Sequence, residues 1–253
     1  MFGLKKKRRH KLMLTPLPSQ WLDIVHRNVP YVAKLPPEDQ VELQGLMQVF
    51  LDEKHFEGCE GLEITDEIRV TIAAQACVLL LHRDTDFYPK LQSILVYPHA
   101  YVAKGLHHRH GQIVSEGPEA RLGESWVQGS IVLSWDDVVR GAFDIHDGHN
   151  VVFHEFAHQL DQENSTGPGA PLLPKRSMYL AWARVLGHDY QELLDALEHH
   201  RRTLIDPYGA TNPAEFFAVV TEVFFEKSRQ LQKRHPELYE ELRSFYQQDP
   251  ARY

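Results

Sequence analysis

The chain has 253 residues, 43% of them hydrophobic and 25% charged, with 15 glycines and 15 prolines, which describes a soluble globular protein of one large domain or two small ones. A formal net charge of −8 argues against nucleic acid as the main partner, because duplex binding needs a clustered positive face. Cys59 and Cys77 are the only cysteines and form no C-x-x-C, so a disulfide framework is excluded and a reducing cytoplasm fits.

The run Lys5-Lys6-Lys7-Arg8-Arg9-His10-Lys11 is strongly basic, but Thr15, Pro16 and Pro18 follow it where a signal peptide needs an apolar segment. Export is therefore not expected, and residues 1–16 read as a solvated, mobile tail, with a weak contact to anionic lipid or nucleic acid as the alternative. No later stretch is long and apolar enough to span a membrane. A helix is predicted from Pro36-Pro37-Glu38-Asp39, since proline and acidic residues suit a first turn. Val41, Leu43, Leu46, Met47, Phe50 and Leu51 continue it at helical spacing toward an end near Gly58. Asp66 to His82 reads as a second, more deeply buried helix. Ser93 to Tyr97 is a short strand stopped by Pro98, with residues 101–103 as a possible extended continuation. Residues 106–112 hold His107, His108 and His110; adjacent imidazoles diverge on any regular element, so this is read as a surface or cleft-rim loop, with a secondary metal contact as the alternative. Ile131 to Trp135 is a strand by composition, either a core strand or an edge that holds extended peptide beside an active-site helix.

The most informative segment is Asn150 to Gln162, which contains His154-Glu155-Phe156-Ala157-His158, the pattern H-E-x-x-H, inside an apolar run. On a helix, residues four apart lie one above the other, so His154 and His158 can face one metal ion while Glu155 reaches a water beside it. The flanking Val151, Val152, Phe153 and Leu160 make the helix apolar almost all round, and two imidazoles with a carboxylate are costly in such a helix unless a metal or firm partners meet them. Asp161 points toward the same side, as a ligand or, by the more frequent arrangement, as a carboxylate holding an imidazole N–H. Residues 164–171 are loop, and a long helix is expected from Ser177 to about Arg202. A third ligand is still required. Asn212 to Phe225 is an apolar helix carrying Glu215 and Glu222, seven residues apart and on one face, and either can close the site.

Several segments, in order, resemble the bacterial Mlc titration factor A family: Leu95 to Pro98, Gly123 to Trp126, Gly129 to Trp135, His154 to Asp161, Ile205 to Ala210, Asn212 to Val219 and Phe245 to Pro250. The resemblance spans nearly the whole chain. It implies a zinc-dependent peptidase with one Zn²⁺ per chain and a catalytic domain similar to that of anthrax lethal factor. It also selects Glu215 over Glu222 as the third ligand beside His154 and His158, and pairs it with Tyr208, seven residues earlier. The implied chemistry is metal-assisted peptide hydrolysis, with Glu155 as general base and Tyr208 donating to the oxyanion. The family shows aminopeptidase-like activity. Here Gly129-Ser130-Ile131-Val132-Leu133 lacks the carboxylate with which large zinc aminopeptidases bind a free α-ammonium, so endoproteolysis stays open. The resemblance equally implies an alternative, a regulatory protein that binds an Mlc-like repressor of the glucose phosphotransferase system. The expected fold is α+β and mainly α, zincin-like, with a small sheet: a helical part over residues 17–90 and a catalytic part over 91–253.

Overall fold

The structure is a computed structural model that describes residues 2–84, 86–99, 106–109, 112–115, 129–163 and 168–253. The described chain is mainly helical with a small parallel sheet, in keeping with the expected α+β class. It forms two compact units, Met1–Ile145 with Asn150–Val152 and His146–His149 with Phe153–Tyr253. The division expected near residue 90 falls within the first of these.

In the first unit, helix α1 (Phe2–Met13) occupies the basic run that the sequence suggests is a mobile tail. The correction has a clear cause. Arg9 donates Nε and Nη2 to the two carboxylate oxygens of Glu53 at 2.6 and 2.8 Å, pairs also with Asp86, and lies 4.7 Å from the Phe87 ring centroid; Arg8 meets Asp52 at 2.6 Å. Helix α2 (Ser19–Asn28), which sequence reading leaves unassigned, packs on α4 (Asp66–Val78), and α1 packs on α3 (Pro37–Glu53). Helix α3 stops short of Gly58, because His55–Gly58 is strand β1, paired parallel with β2 (Ser93–Tyr97). At this turn from helix to strand the Lys54 ammonium is buried, donating to the carbonyls of Tyr88 and Leu91 at 2.7 Å each.

Helix α4 (Asp66–Val78) starts at Thr65, whose hydroxyl accepts the Ile68 N–H, and its residues Val70, Ile72 and Ala73 to Val78 are buried. The sheet order is β1-β2-β5, all parallel, with β5 (Ser130–Ser134) aligned so that Ile94 faces Ile131. Among the described residues β5 is an edge. Trp135 belongs to helix α5 (Trp135–Phe143) rather than to the strand, since the Ser134 hydroxyl caps that helix by accepting the Asp137 N–H. Residues Leu106–Arg109 and Gln112–Ser115 are strands β3 and β4 of an antiparallel pair, not the loop expected from the histidine-rich run. Residues 101–103, His110, 123–126 and 164–167, which carry other sequence expectations, lie outside the described residues.

Helix α6 (Val151–Gln162) carries the H-E-x-x-H segment. In the second unit it is followed by α7 (Met178–Glu198), a 3-10 turn at Pro207–Ala210, α8 (Pro213–Glu226), α9 (Ser228–Arg234) and α10 (Pro236–Tyr246). Helix α8 is the core of this unit, buried from Phe216 through Glu226. Its rings pack edge-on: Phe217 against Trp182 and Phe245 at 5.7 and 5.8 Å, and Phe225 against Tyr246 at 5.0 Å. Phe153 of α6 lies 5.2 Å from Phe225. Burial of this density fixes the rotation of α6 and α8 about their axes, and hence where their few polar side chains point.

Candidate metal centre

Local sequence sets the start of α8. The Asn212 side chain accepts the N–H groups of Ala214 and Glu215 at 2.9 and 3.0 Å, with Pro213 in the first helical turn. Glu215 thus sits in the first turn, where the helix dipole favours a carboxylate. A loop locks the same point from the other side. Gly169, at φ +78°, would place a Cβ 2.5 Å from the Pro213 carbonyl oxygen, so only glycine fits.

On α6, the four-residue spacing brings the His154 and His158 Nε2 atoms within 3.1 Å of each other. Glu215 Oε2 lies 3.0 Å from the first and 3.4 Å from the second. One donor atom from each of the three residues lies within 4.8 Å of the others. The other ring nitrogen of His154 is held by a second carboxylate. Nδ1 is 2.7 Å from Glu222 Oε1, at a side chain only 1% exposed, which leaves Nε2 facing His158 and Glu215. Two imidazole nitrogens and a carboxylate oxygen converge there, an arrangement that a cation, proton or metal, resolves. Titration behaviour has the same cause. Burial alone lowers the His154 pKa, but Glu215 and Glu222 outweigh it and hold it up at about 10. Burial raises the Glu215 carboxyl, yet the two imidazoles bring it down to about 2.

Glu155, half-buried on the next position of α6, has its carboxyl raised above the usual range by burial, an effect opposed by His158 and His154. Tyr208 is placed by its own turn: Asp206 Oδ1 accepts its N–H at 2.8 Å, the Thr211 hydroxyl donates to its carbonyl at 2.7 Å, and Tyr190 of α7 donates to the Ala210 carbonyl at 3.1 Å. Its ring centroid lies 6.0 Å from that of His154. His154, Glu155, His158, Tyr208 and Glu215 are therefore gathered in one unit. Asp161 is the exception. Its Oδ2 accepts the Gly169 N–H at 2.8 Å, so it ties down the loop, and Glu222 takes the imidazole contact expected of it. Sequence reading also missed Glu226, whose buried Oε2 accepts the N–H groups of Gly148 and His149 at 3.0 and 3.1 Å just before α6. Its position, four residues after Glu222 in an apolar helix, was the available signal.

The sequence model of the glucose-regulated metallo-peptidase M90 family matches residues 4–247. The chain belongs to that family. This M90 chain is 44% identical over 244 residues to an uncharacterized protein of Synechocystis sp., covering 96% of this chain and 89% of that protein. It is 32% identical over 235 residues to the Mlc titration factor A of Serratia proteamaculans, covering 92% and 88%, and 33% identical over 225 residues to that of Klebsiella pneumoniae, covering 88% and 84%. Membership of a metallopeptidase family calls for a metal, and in this M90 chain the cluster on α6 and α8 offers donors for one.

Proposed function

We propose that the protein is a zinc-dependent peptidase of zincin-like fold and aminopeptidase-like action, working in the cytoplasm, with His154, His158 and Glu215 as zinc ligands and Glu155 as general base. The observation that carries the reading is the convergence of the His154 and His158 Nε2 atoms on Glu215 Oε2, with the other ring nitrogen of His154 against Glu222 on the far side. Two nitrogens and one carboxylate oxygen are the donor set of a catalytic zinc, which keeps a further position open for water. When bound, zinc supplies Lewis acidity that brings the pKa of water from about 16 toward 7. Glu155 takes the proton of the attacking water and returns it to the leaving amine, a task its raised carboxyl pKa suits. The Tyr208 hydroxyl donates to the oxyanion, a contact of about 3 kcal/mol in barrier for donors of this kind. Glu222 keeps the His154 ring in the tautomer that offers Nε2.

The test is Glu155→Gln, assayed on N-blocked and unblocked peptides alongside zinc content. Activity should fall by at least about 100-fold while zinc stays stoichiometric, and preference for unblocked peptides marks the aminopeptidase. Equal cleavage by both proteins would overturn the reading. A second reading, sequestration of an Mlc-like transcriptional repressor with peptidase activity secondary, is favoured by the relatives named Mlc titration factor A. It predicts repressor binding that survives Glu155→Gln undiminished.

A further inference from the structure

The second unit holds a cavity of about 270 Å³ between α7, the segment 201–205 after it and the junction of α9 with α10. Its floor is apolar, formed by Leu193, Ala196 and Ile205. Its charged groups divide by origin: Asp189 and Glu192 come from α7, whereas Arg201 and Arg202 follow that helix and Arg234 ends α9. Two of these are already answered inside the protein. Asp189 is buried and bonded to His235 Nδ1 at 2.6 Å, and Arg201 pairs with Asp195. The side chains of Arg202, Arg234 and Glu192 have no ion pair or hydrogen bond among the described residues, although all three line one cavity.

Two free guanidiniums and one free carboxylate around an apolar floor call for a ligand that carries both signs and an apolar body. A pure anion is opposed by Glu192, and a pure cation by the two arginines. We propose that this cavity binds a small zwitterion, a free amino acid or dipeptide with an apolar side chain. Its carboxylate meets Arg202 and Arg234, whose planar forks suit that geometry, its ammonium meets Glu192, and its side chain covers Leu193, Ala196 and Ile205. The volume agrees, since pockets for drug-sized ligands begin at roughly 300 Å³. The site also has a route to the candidate catalytic cluster. Ile205 precedes by three residues the Tyr208 whose N–H is held by Asp206, so a ligand held against Ile205 bears on the turn that places Tyr208. Only this consequence rests on the peptidase reading, in which amino acids and dipeptides are products and the cavity is a product-sensing site.

Calorimetric titration of the zinc-loaded protein with L-leucine, N-acetyl-L-leucine and leucinamide tests the proposal. Leucine should bind, and each analogue lacking one charge should bind at least tenfold more weakly. Arg202→Ala, Arg234→Ala and Glu192→Gln, all at exposed positions, should each weaken leucine at least tenfold, while Glu215→Gln leaves it unchanged. Absence of leucine binding, equal affinity for N-acetyl-L-leucine, or loss in Glu215→Gln with retention in Arg234→Ala would each overturn it. Leucine binding without any peptide hydrolysis would instead remove the peptidase reading and keep the cavity's assignment.

Discussion

His154 is fixed from both ends of one imidazole ring. Glu222 Oε1 receives Nδ1 at 2.7 Å while Nε2 faces Glu215 and His158. The two carboxylates thus have different tasks, and the helix pitch alone, which puts Glu215 and Glu222 on one face, does not tell them apart. Glu222→Ala removes the carboxylate that meets the buried Nδ1 and frees the ring to change tautomer, so affinity for the proposed zinc should fall about 10- to 100-fold. Glu222→Gln keeps an acceptor at the same place and should fall less; competition with a chromophoric chelator measures both. A similar argument applies to Lys54, far from the cluster in sequence. Burial pushes its ammonium down to about 8, while two carbonyls receive its hydrogens. The unfolded chain holds that proton until about pH 10.4. Between pH 8 and 10.4 the unfolded state therefore binds more protons, and the Lys54 contribution to stability rises with pH across that window. Lys54→Met should abolish this rise and, by leaving the Tyr88 and Leu91 carbonyls unmet, cost about 1–3 kcal/mol at pH 7. Urea unfolding of both proteins at pH 7, 9 and 10 checks the sign.

Helices differ in how plainly the sequence announces them. The H-E-x-x-H helix and α8 are legible because a long apolar run with a capping Asn212 or a metal-type motif has no competing reading. Helix α1 is not, because what orders it lies elsewhere: Asp52 and Glu53 stand 44 residues from Arg8 and Arg9, and Asp86 stands 77 from Arg9. A cationic run is a tail only when no acidic face receives it. Strand β1 is hidden for a related reason, as four residues gain their strand character from pairing with β2 rather than from their own composition. Asp161 shows the limit of counting turns, which gave a direction but not the Gly169 N–H that claims the side chain. The seam between α1 and α3 gives a prediction whose sign separates local propensity from packing. Gly45 lies within α3, where alanine would normally stabilise by about 1 kcal/mol, but a Cβ there would stand 2.7 Å from the Met13 carbonyl oxygen. Overpacking of this kind costs about 1–3 kcal/mol, so Gly45→Ala should lower stability and expose α1 to protease. Increased stability in the variant would show that α1 yields without loss.

Across the molecule, the candidate ligands are confined to one unit. His154, His158, Glu215 and Glu222 all fall within Phe153–Tyr253. Helix α8 presents three carboxylates along its length, Glu215 to both imidazoles, Glu222 to the Nδ1 of His154 and Glu226 to the backbone before α6. The contacts of Glu222 and Glu226 involve no metal. Phe217, Trp182, Phe245 and Tyr246 pack around α8 as well, through contacts that involve no ion. Metal removal should therefore loosen the protein without unfolding it. Stabilisation by a ligand present at 1,000 times its Kd is about 4 kcal/mol. On the proposed zinc reading, the chelator-treated protein should lose hydrogen-exchange protection relative to the zinc-loaded protein in residues 153–162 and 213–222, with α3 and α4 unchanged. Uniform loss across both units would mean that the ion supports the entire fold, and no change in α6 would mean that the cluster is not where the metal is held.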